Sequence, residues 1–247
     1  MTLTIGASQE RWEQAQSTEL SYWKGMTLGE LTNICAAMCG FVERLDHARL
    51  SQLFDGKEVL EIGCGPLGLS LGCFYERKER IRRLVKIEPL PQLQLEGTPA
   101  HNAAWARPFV AWVGGLASEG DYVRKPGEQL DFQGEFDTVI SYNVIDHVKN
   151  PRAVLESVFA ALRSGGTALV AVDCMSLLGR FKFEYYTRRV ARGSILVDAH
   201  PHSFRMHRVT EMLNDVGFRD IECLNPQGLM RNLIGHADRI AFIARRP

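Results

Sequence analysis

Two carboxylates, Glu61 and Glu88, bracket the glycine run Gly63-Cys64-Gly65-Pro66-Leu67-Gly68. Glycines let a backbone turn tightly and come into contact with a ligand, because no Cβ intervenes. Helix amides that follow such a turn have no partner of their own and favour anionic or polar ligand groups. Glu61 stands two residues before the first glycine. Glu88 stands about 20 residues beyond the last one, where a carboxylate can take the hydroxyls of a ribose. Cys64 and Pro89 lie within the same two segments. The chemistry this pattern suits is binding of a nucleoside-containing cofactor. The spacing G-x-G-x-x-G is shared by dinucleotide sites, so the glycines alone do not choose the cofactor.

A second group of polar residues lies further on. Ser141-Tyr142-Asn143 closes a strand-like run, and His147 follows within one turn. The segment Asp198 to His207 carries His200 and His202. Histidine titrates near neutrality and can take a proton from a hydroxyl. The plain alternative is a histidine that orders a loop by hydrogen bonding. His200 and His202 on an extended segment point to alternate sides, which argues against joint metal binding. A third group, Leu178 to Gly193, carries Arg180, Lys182, Arg188, Arg189 and Arg192, with Tyr185 and Tyr186 between them. Guanidinium groups can clamp a carboxylate or phosphate in two-pronged fashion. A solvated helix with an aromatic inner face would read the same.

The elements that must position these residues alternate between strand and helix. Glu58 to Ile62 and Leu84 to Ile87 have the β-branched, alternating character of strands. A helix is expected from Leu67 to about Arg80. Asp121 to Arg124, Phe136 to Ser141 and Thr167 to Asp173 are further strands, the last with the apolar run of a buried parallel strand. Helices are expected over Ser8 to Lys24, after the Thr27/Glu30 capping box, from Pro151 to Arg163, and from His207 to Val216. Helical character between Ala100 and Leu116 is irregular. Phe218 to Leu224 and Ile240 to Ala244 form a final strand pair. The expected architecture is α/β: a doubly wound, mostly parallel, seven-stranded sheet with a C-terminal antiparallel strand pair and an N-terminal helical cap. The expected division is a cap over residues 1–50 and a cofactor-binding domain over 51–247, with an insertion at about 174–202.

These residues resemble those of class I S-adenosylmethionine (SAM)-dependent methyltransferases of the small-molecule, type 11-like kind. The resemblance covers roughly Glu58 to Phe218. It rests on E-I-G-C-G-P-L-G, on Glu88, and on the stretch G-E-Q-L-D-F-Q-G-E-F-D-T-V-I-S-Y-N-V-I-D-H-V-K-N-P, Gly127 to Pro151. It implies SAM as cofactor, with Gly63 and Gly65 at the methionine portion and Glu88 at the ribose. Glu61 then orients the loop and the ammonium, and Asn143 lines the methyl-donor end. The family's acid before the fourth strand is replaced here by Pro126, so Glu128 or a backbone group is left to meet the adenine. The resemblance also implies that the N-terminal helices form a lid. The segment W-E-Q-A-Q-S-T-E-L-S-Y-W faintly resembles enzymes of surface-sugar and secondary-metabolite pathways. Two other readings remain open: an NAD(P)-dependent oxidoreductase and a non-catalytic SAM-binding protein.

Bulk properties narrow the partners. The 247 residues carry 29 basic and 29 acidic side chains, so no general attraction to nucleic acid or an anionic membrane is expected. No apolar run reaches the ~20 residues of a membrane span. The N-terminal ten residues lack the pattern of a signal peptide. Six cysteines without a C-x-x-C pair fit a reducing cytoplasm and give no metal motif. A small-molecule substrate is expected, with a carboxylate or phosphate for the arginines of the insertion to hold.

Overall fold

A computed structural model describes residues 6–102, 104–189, 199–226, 228, 233 and 238–247. Seven strands form one sheet: β1 (Glu58–Ile62), β2 (Arg83–Glu88), β3 (Asp121–Arg124), β4 (Phe136–Tyr142), β5 (Leu162–Cys174), β6 (Arg219–Cys223) and β7 (Asp238–Arg245). Their order is β3-β2-β1-β4-β5-β7-β6. The first five run parallel, whereas β7 pairs antiparallel with both β5 and β6. This is the α/β sheet expected from the sequence, with its antiparallel C-terminal pair.

Both faces of the sheet are covered, as a parallel sheet requires. The period of two sorts the side chains. Leu60 and Ile62, Val85 and Ile87, and Val170 and Val172 pack toward α5 (Pro151–Ala161) and the last helix, α7 (Met206–Val216). Val59, Ile140, Leu169 and Ala171 pack toward the opposite layer. That layer contains α2 (Leu28–Arg44), α3 (His47–Phe54) and α4 (Arg107–Ser118). Before it comes α1 (Gln9–Lys24), capped by Ser8. The box at α2 forms as expected: Thr27 Oγ1 accepts from Glu30 N–H, and the Glu30 carboxylate accepts from Thr27 N–H. Gly217, with φ at 116°, ends α7 in the left-handed region that glycine reaches without strain. No single described helix is long and apolar enough to cross a membrane.

One element differs from expectation at the centre of the molecule. The segment after the glycines is not an α-helix but two short 3₁₀ turns, Leu71–Phe74 and Lys78–Arg80. The apolar residues there, Leu67, Leu69 and Leu71, recur every second position, which is not a helical period. No α-helical N-terminus therefore points from this loop at a ligand. The helix α3 was not anticipated. The insertion expected at 174–202 begins as a helix, α6 (Leu177–Arg189). Residues 190–198 of it, including Asp198, Arg192 and Gly193, lie outside the described residues.

Candidate functional site

The glycine loop is held from below by a buried acid and a buried base on neighbouring strands. Glu61 and Lys86 are register partners in β1 and β2, and each is 1% exposed. The Glu61 carboxylate accepts from Ser70 Oγ at 2.6 Å and from Leu71 N–H at 2.8 Å. Lys86 Nζ donates to the carbonyls of Gly68, at 3.0 Å, and Ala117, at 2.8 Å. The second carbonyl belongs to the last turn of α4, where a cation is favourable. Glu61 thus ties the end of β1 to the segment after the glycines. Lys86 was missed, although a lone cation inside Leu84-Val85-Lys86-Ile87 is itself a signal.

Above the loop the backbone is open to a ligand. Gly63 and Gly65 have φ near +76° and +67°, and a Cβ on Gly65 would lie 2.7 Å from the Trp23 ring of α1. Asn143 has φ at 60°, unusual for a residue with a side chain, and its buried Oδ1 has no hydrogen-bond partner among the described residues. Strain and an orphaned acceptor at a strand's carboxyl end fit a ligand-binding position. A cavity of about 490 Å³ joins Gly63, Cys64 and Gly65 to Asn143, His147 and His200. That volume is in the range of small-molecule sites. A cleft of only about 40 Å³ continues past Glu88, Pro89, Glu128 and Asn143, narrowed by Trp12, Gln16 and Glu19 of α1.

The remaining expected residues fall into place unevenly. Glu88 is 5% exposed and accepts from the amides of Gly65, at 3.0 Å, and Leu90, at 3.1 Å. Glu128 accepts from the amides of Lys149 and Asn150, so it also pins the turn after β4. Burial pushes the Cys64 thiol well above its ordinary value, which leaves it a packing residue rather than a nucleophile. His147 and His200 come together with ring centroids 4.2 Å apart and line the larger cavity. His202 does not line it. Its Nε2 lies 2.9 Å from the Val148 carbonyl and its amide donates to the Asp146 carbonyl at 3.2 Å. His202 thereby clamps two segments together, which is the loop-ordering alternative that the sequence also offered for histidine. Tyr185 is 55% exposed on α6 and does not line the cavity. Tyr186, Arg188 and Arg189 belong to the same helix, but their side chains lie outside the described part of the structure.

Glu19 and Arg239 also reach the cavity without having been anticipated. Glu19 lies 3.7 Å from His147 Nδ1. Arg239 of β7 grips Asp173 through two bonds, at 3.0 and 3.1 Å, and its Nη1 donates to the Tyr142 hydroxyl at 3.3 Å. Nothing local in the sequence around Arg239 marks it; the antiparallel return of β7 beside β5 brings it there.

Burial and then the nearby Glu19 carboxylate push Glu88 up to about 8. Burial pushes Glu61 up to about 7, against the opposing hydrogen bonds and the charge of Lys86. Both folded values lie above the ordinary 4.5. The folded chain therefore keeps protons that the unfolded chain has released, and stability falls as pH rises from about 4.5 to about 8. Thermal unfolding should show Tm falling between about pH 5 and about pH 8.5. Glu88→Gln should flatten that fall by several degrees, at roughly 2–4 °C per kcal/mol for a chain of this size. An unchanged slope would mean that Glu88 ionises in the folded protein as freely as in the unfolded one.

The sheet order with its antiparallel β7, together with the glycine loop and the acid closing β2, is that of the class I SAM-dependent methyltransferase fold. Residues 36–223 match the family model described as "Methyltransferase domain". The chain belongs to this family and is an enzyme whose methyl donor is SAM. No curated protein matches the chain. Among solved structures, it is similar to the 1,6-didemethyltoxoflavin-N1-methyltransferase of Burkholderia thailandensis, with bound 1,6-didemethyltoxoflavin and S-adenosylhomocysteine. Identity is 17% over 100% of this chain and 93% of that one, with a TM-score of 0.57. It is also similar to phosphoethanolamine N-methyltransferase 2 of Haemonchus contortus in complex with SAM, at 16% identity over 81% of this chain and 50% of that one, TM-score 0.55. A third similar structure is a complex between the Haloferax volcanii Trm112 methyltransferase activator and a methyltransferase. There identity is 16% over 85% of this chain and 92% of that one, with a TM-score of 0.54.

Proposed function

We propose that this enzyme methylates a small-molecule acceptor held in the 490 Å³ cavity between the N-terminal helices and the carboxyl edge of the sheet. The observation that carries the reading is the continuity of that cavity. It runs from Gly63 and Gly65, which admit the methionine portion of SAM, to His147, His200 and Arg239, which are left for an acceptor. Glu88 and Pro89 flank the ribose, and Glu128 stands beside the nucleoside cleft. Asn143 lines the boundary between the two ligands.

SAM supplies a methyl group already activated by its sulfonium. What the chain adds is position: a cavity whose walls hold acceptor and donor on one axis. Arg239 supports an anionic acceptor. Asp173 fixes its plane, and its Nη1 edge faces the cavity wall at Tyr142. Of the α6 residues, Tyr186, Arg188 and Arg189 remain candidates to hold the far end of such an acceptor, whereas Tyr185 stands outside the cavity lining. All six cysteines are free, which fits the proposed cytoplasmic setting. We also take the helices within residues 1–50 as the lid of a single methyltransferase unit, because Trp12, Gln16 and Glu19 narrow the nucleoside cleft and Trp23 covers Gly65.

Calorimetric titration should show SAM and its demethylated product binding at micromolar affinity, with no heat for NADH. Hydrogen exchange should change on SAM addition in α1 as well as in the glycine loop, since α1 has to move for the nucleoside to enter so narrow a cleft. Binding of NADH without SAM would overturn the assignment. Protection of the loop with α1 unaffected would remove the lid.

A further inference from the structure

The turn after β4 and the segment before α7 converge on one buried carboxylate. Asp146 is 2% exposed, and its Oδ1 has no hydrogen-bond partner among the described residues. Its Oδ2 lies 3.9 Å from His147 Nε2 and 3.7 Å from His200 Nε2. The three ligating atoms lie within 4.8 Å of one another. These separations are too long for hydrogen bonds, which span about 2.7–3.2 Å. They are a few tenths of an ångström beyond the roughly 3.4 Å between ligands of a tetrahedral ion with bonds of about 2.1 Å. Buried carboxylates are ordinarily paired or hydrogen-bonded, or coordinate metals.

The surroundings have the form of an outer shell. His147 presents Nε2 to Asp146 while its Nδ1 faces the Glu19 carboxylate at 3.7 Å, the arrangement that fixes a ligating histidine's tautomer. Arg11 Nη2 donates to the His200 carbonyl at 3.2 Å. His202 ties the two segments together through its amide and ring. The convergence was invisible in the chain order, where the adjacent pair His200 and His202 points apart.

We propose that Asp146, His147 and His200 form a binding site for a divalent first-row transition metal. Two imidazoles and one carboxylate suit Zn(II), Fe(II) or Mn(II) and leave coordination positions open. Both histidines line the cavity, so the open positions face the acceptor. On the acceptor reading above, the substrate class is then a small molecule with an oxygen donor, hydroxyl or carboxylate, that completes the coordination. That last step rests on the proposed function; metal uptake does not.

The test is made on the full, tag-free chain, stripped with chelator and titrated with Co(II). One Co(II) per chain is expected, with visible ligand-field absorption, no sulfur charge-transfer band, and displacement by Zn(II). Two exchangeable, paramagnetically shifted imidazole N–H signals should appear in the proton NMR spectrum of the wild-type protein, which tests the histidines without relying on variants. Asp146→Asn and His147→Gln should each weaken binding at least tenfold, Glu19→Gln by roughly tenfold, and His207→Ala, an exposed histidine elsewhere, should leave binding unchanged. No uptake at micromolar Co(II), a sulfur band, or uptake indifferent to Asp146→Asn would overturn the site. SAM titration of the same metal-free sample separates the two ideas. SAM binding without metal uptake removes this site alone, and metal uptake without SAM binding keeps it while removing the function proposed above.

Discussion

Replacing Lys86 with methionine is expected to lower the free energy of unfolding by about 2–6 kcal/mol, roughly 1–3 kcal/mol for each of the two carbonyls left buried without a donor. Methionine matches the stem of lysine but donates nothing. The Gly68 and Ala117 carbonyls then lose their shared donor, and Glu61 is left buried without the cation beside it. Urea titration reads the loss as a lower midpoint at constant slope. The double variant Glu61→Gln/Lys86→Met should be less destabilised than the two single losses added together, because the residues share one loop. A loss under about 1 kcal/mol for Lys86→Met would mean that solvent reaches the two carbonyls and the pair does not clamp the loop.

That clamp shows where the sequence can be read and where it stops. The strand Glu58–Ile62 and the positive-φ glycines behind it are local features, and they appear in the structure as the sequence suggests. The capping box at Thr27, Pro151 at the start of α5 and Gly217 at the end of α7 are local in the same sense. The region after Gly68 was misread as a helix. Its conformation is set by side chains that precede it: Glu61 at the end of β1 and the capping Ser70 take the polar groups of the first turn and hold it as 3₁₀. Lys86 becomes meaningful only when β1 and β2 are in register. Arg239 reaches the cavity only because β7 returns antiparallel to β5. His147 and His200 are 53 residues apart and meet because His202 pins one segment to the other. The sequence therefore shows which residue types the site uses. Sheet pairing decides which of them meet.

At about pH 9, above the value near 8 to which burial and Glu19 push Glu88, Glu88→Ala is expected to weaken SAM binding by roughly a hundredfold or more, two charge-assisted hydrogen bonds at ~1.5–3 kcal/mol each. The carboxylate sits at the carboxyl end of β2 and lines the narrow cleft past Pro89 that α1 has to open for a ribose to approach it. It already accepts from the amides of Gly65 and Leu90. A carboxylate has about four acceptor positions, so two remain for the ribose hydroxyls. The same two amide bonds create a competing explanation. Alanine would release the Gly65 amide and could loosen the loop without any ribose contact being lost. An analogue of SAM that lacks the ribose hydroxyls separates the two. If Glu88 touches the ribose, wild type and Glu88→Ala should bind the analogue almost equally, since the interaction is absent from both. If Glu88 acts only through the loop, the variant should lose as much affinity for the analogue as for SAM. Equal losses for the two ligands would take Glu88 out of the ribose site and leave it a positioning residue for Gly65.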